Sequence, residues 1–231
     1  MLEELKQRVL EANQALVKHG LVILTWGNAS GFDREQALMV IKPSGLAASD
    51  LYASDMVVVD IRGKIVEGKL KFSADTSTHL ELYNAFDGIA GITHTHSIYA
   101  TMFAQANLPI PCLGTTHADT FFGDVPITRL LEKKEVEREY ERNTGKIIVE
   151  LFAGKDPMTA PAALAAGHGP FTWGRSPGEA LQNAVALETV AELAWGTLLL
   201  KQDVNRLPDY LMEKHYERKH GPGATYGQKN K

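Results

Sequence analysis

The chain has 231 residues, 44% hydrophobic and 23% charged, which is enough to bury one sizeable core and falls within the range of ordinary globular proteins. Its net charge of −4 comes without a run of basic residues, so there is no electrostatic footprint for nucleic acid, and an anionic ligand must be held by a local cluster. The single cysteine, Cys112, excludes a disulfide framework within the chain. No apolar stretch is long enough to span a membrane, AELAWGTLLL being interrupted by Glu192, so a reducing, cytoplasmic setting is expected.

Leu2, Leu5, Val9, Ala12 and Leu16 recur at steps of three and four, which predicts an amphipathic helix that Gly20 can close. Short β-rich runs follow at Leu21 to Thr25, Leu38 to Ile41, Met56 to Ile61 and Gly88 to Thr93, separated by Gly, Pro, Asn and Asp. Helical patterns occupy about 77–86, 97–106 and 132–142. Another opens at Ser176-Pro177-Gly178-Glu179, a capping-box arrangement, and runs to about Lys201. A last one covers 208–220 and leads into GPGATYGQKNK, a stretch too polar and glycine-rich to fold without a docking surface. Strands mixed with helices, with no repeat and no linker, predict one layered α/β domain. No GxGxxG fingerprint and no GxxxxGK[ST] loop is present, which weakens dinucleotide and P-loop readings.

Thr93-His94-Thr95-His96 ends an apolar strand, and residues two apart on a strand share a face, so two imidazoles converge. Asp75 before a helix and His168 in the turn Gly167-His168-Gly169-Pro170 are candidates to complete a site. Three nitrogens and a carboxylate suit zinc, or manganese or cobalt. Taken alone, Asp75 reads equally well as a helix N-cap and His168 as a turn residue. Lys42-Pro43-Ser44-Gly45 and Ser73 supply the hydroxyls, amides and charge that an anion needs, or else an ordinary turn; Gly27-Asn28 after Trp26 reads as a turn or a ligand contact. Asp119, in Gly114-Thr115-Thr116-His117-Ala118-Asp119, is a candidate proton-transfer group or a loop cap. His215, Arg218, Lys219 and His220 read as a ligand cluster or as a solvated helix end favoured by the dipole.

Taken together and in order, TWGN, IKPSG, FSAD, HTHS, GTTHAD, GHGPFTWG, KHYERKHG and TYGQ resemble the L-ribulose-5-phosphate 4-epimerase family, within the class II aldolase superfamily. The match runs from about Leu2 to Gln228. The resemblance implies a single-domain α/β/α fold over 1–231 around a mostly antiparallel sheet, with a flexible tail from about 221. It implies one divalent metal per subunit, most often zinc, on His94, His96 and His168, with Asp75 at the position of the family's carboxylate ligand. Gly27, Asn28, Lys42, Ser44, Gly45, Ser73 and Ala74 are the implied substrate and phosphate contacts, joined by Thr115 and Arg218. Asp119 and Tyr226 match the pair of proton-transfer residues. A cytoplasmic homotetramer with active sites between subunits is also implied, acting on a small sugar phosphate in pentose catabolism of the arabinose or ascorbate type.

Two positions depart from that pattern. Ala74 replaces a serine, removing one hydroxyl from the phosphate contacts, and Ala160 to Ala166 is a weak strand former where the family has a β-branched strand. The reaction expected is inversion at C4 of a 2-ketopentose phosphate. The C4 hydrogen is not acidic, so retro-aldol cleavage of C3–C4 and re-formation from the opposite face is the available route. Two other readings are a class II aldolase of the fuculose- or rhamnulose-phosphate type, in which a glutamate generally stands where Asp75 is, and a non-enzymatic adducin-like binding domain.

Overall fold

A computed structural model describes residues 2–225. Seven strands form one sheet in the order β4-β3-β2-β1-β5-β7-β6, with every neighbouring pair antiparallel. They are β1 (Gly27–Asp33), β2 (Leu38–Ile41), β3 (Val57–Asp60), β4 (Ile65–Glu67), β5 (Gly91–Thr95), β6 (Ala162–Ala165) and β7 (Gly169–Gly174). The helices are α1 (Glu3–Lys18), α2 (Thr76–Ala85), α3 (Ile98–Ala106), the single turn α4 (Thr115–Ala118), α5 (Lys133–Leu151), α6 (Pro177–Leu200) and α7 (Asp209–His220). No helix among the described residues is long and apolar enough to cross a membrane.

Helices cover both faces of the sheet, which is why β2 (LMVI) and β3 (VVVD) read as near-continuous apolar runs. Met39, Ile41, Val57, Val59, Phe171 and Trp173 face α2 and α5, packing on Leu80, Tyr83, Ile148 and Phe152. The intervening Val40 and Val58 face α1 and meet Leu5 and Val9, while Ala162 and Leu164 face α3 and α6. The alanine run does form a strand. All four residues of β6 are buried, and packing on both faces overrides the weak propensity of alanine.

One strand expectation fails. Leu21 to Thr25 is not a strand: Leu21 and Val22 are buried beneath the end of α1, Leu24 turns the chain with φ +55°, and Ile23 and Leu24 are exposed. The first strand is instead GNASGFD, built from small residues because α1 presses directly on it. A Cβ at Gly31 would lie 2.7 Å from Leu5 Cδ1.

The sheet forks at the site. β1 pairs with β2 only as far as Ser30 and Ile41, whereas its pairing with β5 continues to Gly27 and Thr95. Beyond Ile41 the chain turns to another partner: Ser73 N donates to Lys42 O (3.1 Å) and Ser44 N to Lys71 O (2.8 Å). The edge of β1 left behind is served by Asn13 of α1, whose Oδ1 accepts from Ala29 N (2.8 Å) and whose Nδ2 donates to Ala29 O (3.1 Å). A wedge therefore opens between Asn28 on one bank and Lys42 and Ser44 on the other.

Candidate metal centre

That wedge is a cleft of about 260 Å³ lined by Trp26, Gly27, Asn28, Lys42, Ser44, Gly45, Ser73, Ala74, Asp75 and the three histidines 94, 96 and 168. The sheet register explains part of the assembly, because Asn28 on β1, His94 on β5 and Phe171 on β7 lie in one row across three strands. His94 stacks on Phe171 with centroids 4.2 Å apart and planes at 17°. Close approach dictates two glycines here. A Cβ at Gly27 would sit 2.7 Å from His94 O, and one at Gly169 would sit 2.8 Å from Thr95 O.

His94, His96 and His168 each offer a ring nitrogen, all within 4.8 Å of one another. The Nδ1–H of His94 donates to Pro170 O (3.0 Å), which leaves Nε2 as a lone-pair donor, 3.1 Å from Nε2 of His96. Tetrahedral zinc–nitrogen bonds of about 2.0–2.1 Å place two ligand nitrogens roughly 3.3 Å apart, so this spacing fits a shared cation. Burial holds His168 down to about 3 and keeps His96 below the usual imidazole range, so both are neutral at pH 7, as ligation requires.

Asp75 stands at the start of α2, but its side chain makes no capping bond. Its Oδ2 accepts instead from Asn28 Nδ2 (2.7 Å), and it is not among the groups that meet at the triad. Burial raises its pKa, and the imidazoles of His94 and His79 together with the Asn28 amide outweigh that, leaving the carboxyl below its ordinary range. Asn28 Nδ2 also donates to Ser73 Oγ (3.1 Å), while Asn28 Oδ1 is buried with no partner and so can accept from a ligand hydroxyl.

Some of the groups expected to form an anion cradle are already engaged within the chain. The backbone amides of Ser44 and Ser73 are consumed in holding the fork together. Among the described residues, the amides of Gly45 and Ala74 carry no bond within the chain, and Ala74 lies at the N-terminus of α2, where the helix dipole favours an anion. Position 74 can therefore serve through its backbone. Lys42 is buried, its Nζ donates to Pro43 O (3.0 Å), and burial lowers its pKa.

Thr115, Asp119 and Arg218 do not line this cleft. Thr115 begins α4, and Asp119 ends it against α7. Asp119 accepts from Arg218 (3.0 Å to each oxygen) and from His215 (3.0 Å), with Lys219 at 3.5 Å. Burial raises its pKa, and the bonds from His215 and Arg218 more than offset this, leaving it low. The α7 residues thus engage Asp119 and are more than a solvated helix end. Tyr226 lies outside the described residues. Sequence reasoning missed Tyr140, whose hydroxyl is 3.3 Å from His168 Nδ1, and Phe171, although the latter falls within GHGPFTWG.

A solved structure described as L-fuculose 1-phosphate aldolase is 30% identical, with a TM-score of 0.80, the match covering 93% of this chain and 95% of that one. The YgbL protein of Klebsiella pneumoniae is 24% identical with a TM-score of 0.72, covering 93% and 99%. The L-fuculose-1-phosphate aldolase of Thermus thermophilus is 24% identical with a TM-score of 0.66, covering 88% and 98%. Residues 7–195 match the family described as class II aldolase and adducin N-terminal domain, and the chain belongs to that family.

Proposed function

We propose that the chain is a metal-dependent L-ribulose-5-phosphate 4-epimerase, interconverting L-ribulose 5-phosphate and D-xylulose 5-phosphate. A divalent cation on His94, His96 and His168, zinc in the first instance and otherwise manganese or cobalt, would supply Lewis-acid stabilisation of negative charge on the ketose oxygens. Asn28 Oδ1 is positioned to accept from a sugar hydroxyl. The amides of Gly45 and Ala74, the hydroxyls of Ser44 and Ser73, and Lys42 would hold the phosphate and keep the two-carbon aldehyde from escaping while it turns over.

The observation that carries the choice is the state of Asp75. Cleavage of C3–C4 passes the bonding electrons to the three-carbon fragment as an enediolate, and the C4 hydroxyl proton goes to a base. An aldolase must then protonate that fragment on carbon to release it; an epimerase must leave the carbon bare until C4 returns. A carboxylate whose Oδ2 accepts from Asn28 Nδ2 and which stands apart from the histidine triad is poorly placed to deliver that proton. Asp119 and Tyr226 are assigned the proton exchange at the C4 oxygen on opposite faces. Asp119 and Arg218 do not line the histidine cleft, so this reading requires a neighbouring copy to bring them, in a homotetramer with sites between subunits.

The second reading, an aldolase that releases its fragments, is favoured by the 30% identity to a protein described as L-fuculose 1-phosphate aldolase. The deciding experiment incubates metal-replete protein with L-ribulose 5-phosphate and follows D-xylulose 5-phosphate, free dihydroxyacetone and chelator sensitivity. Chelator-sensitive xylulose phosphate formation is expected. Free dihydroxyacetone without epimer would assign the aldolase. A protein that neither binds metal nor turns over substrate would return the chain to the adducin-like binding class.

A further inference from the structure

The helix α5 is broken. Glu139 has φ −141° and ψ 66°, outside the helical region, and Tyr140 follows it directly. The Asn143 side chain reaches back across the break and donates to the Glu135 carbonyl (2.8 Å), which ties the two halves together locally. The segment beyond it is clamped to α2. Thr78 Oγ1 donates to Glu141 O (2.5 Å), Arg142 Nε bonds Glu81 (2.7 Å), and a Cβ on Gly145 would meet Glu81 Cβ at 2.7 Å. Tyr140 is thus fixed by backbone on both sides, with Thr144 Oγ1 bonding its carbonyl (2.9 Å).

The break brings the Tyr140 hydroxyl to 3.3 Å from His168 Nδ1, the ring planes tilted at 39°. Ligating histidines ordinarily donate their second ring N–H to an oxygen, which fixes tautomer and orientation. His94 does so through Pro170 O, a backbone group that any sequence would supply. His168 sits in a turn beside Gly167, with φ +71°, and the oxygen facing its Nδ1 is a side chain.

We propose that Tyr140 is a positioning residue for the metal centre, its hydroxyl accepting the His168 Nδ1–H so that Nε2 is held toward His94 and His96. The kink in α5 exists to aim it. The inference rests on the triad being a divalent-metal site and is independent of whether the enzyme epimerises or releases fragments.

The test measures the zinc dissociation constant of the full chain by competition with a chromophoric chelator, together with the unfolding midpoint of the metal-free protein. Tyr140→Phe keeps the ring and removes the acceptor. It is expected to weaken zinc binding about tenfold, to alter the visible spectrum of the cobalt-substituted protein, and to leave the metal-free midpoint unchanged. Asn143→Ala, which loosens the break without touching the phenol, is expected to give a smaller loss in the same direction. Unchanged or tightened affinity in Tyr140→Phe overturns the proposal, as does a wild-type chain that binds no divalent metal. Wild-type zinc binding without epimerase turnover would sink the functional reading and leave the tenfold effect to be found.

Discussion

Asn28 and Asp75, 47 positions apart in the chain, are joined by a 2.7 Å hydrogen bond in which the amide holds the carboxylate away from the start of its own helix. A bond to a buried charged group is worth about 1.5–3 kcal/mol. Asn28→Ala is therefore expected to lower kcat/KM roughly 10- to 100-fold with L-ribulose 5-phosphate, while zinc content stays at one per chain. Unaltered kinetics would mean that the amide is not part of the working site.

Asp119 is predicted to exchange protons with substrate, not to hold the metal. Asp119→Asn should slow turnover by about 10²–10⁴-fold with metal content preserved, and Tyr226→Phe should behave alike. Loss of metal in either variant would refute the division of labour between the two clusters.

His79 gives the metal-free protein an acid-sensitive core. It is fully buried, its Nδ1 lies 2.7 Å from Ser30 Oγ, and burial holds it down to about 3 from an ordinary 6.5. Between those values the unfolded chain carries a proton that the folded chain refuses, so stability falls as pH drops from about 6.5 toward 3. His79→Gln should flatten that dependence by up to about 1.4 kcal/mol per pH unit, read from urea unfolding at several pH values. An unchanged slope would show that the proton is taken up elsewhere.

Gly27 combines φ +147° with a phantom Cβ 2.7 Å from His94 O. Gly27→Ala should cost about 2 kcal/mol or more in unfolding free energy and weaken zinc binding, because the displaced backbone carries a ligand. Retention of both would show that β1 and β5 can part without consequence.

Strands with β-branched residues, such as Val57–Asp60, were legible because their composition matches a doubly buried sheet. β1 was not, since GNASGFD is a poor strand former and the apolar run just before it is a better one; only the packing of α1 on Gly31 reverses that order. Within the site, the His94–His96 alternation put two imidazoles on one face, whereas His168 read equally well as a turn residue and joined them only through the resemblance of the motifs taken together. The partnership of Asp119 with α7 depended on two helices meeting in space, and Tyr140 depended on a helix break that no spacing rule reveals.

Asn13 belongs to a helix that no ligand would touch, yet it decides whether there is a place for a ligand. If it became apolar, the N–H and C=O of Ala29 would be buried without partners, and the cheapest repair would be for β2 to continue zipping along β1 past Ile41. The sheet would gain ladder bonds, and the space between Asn28 and Lys42 would vanish. The opening is thus a seam held from both banks, by the Asn13 side chain on β1 and by the Ser44 and Ser73 amides opposite, and a variant at that remote position would pass for a binding mutant although every binding residue was unchanged.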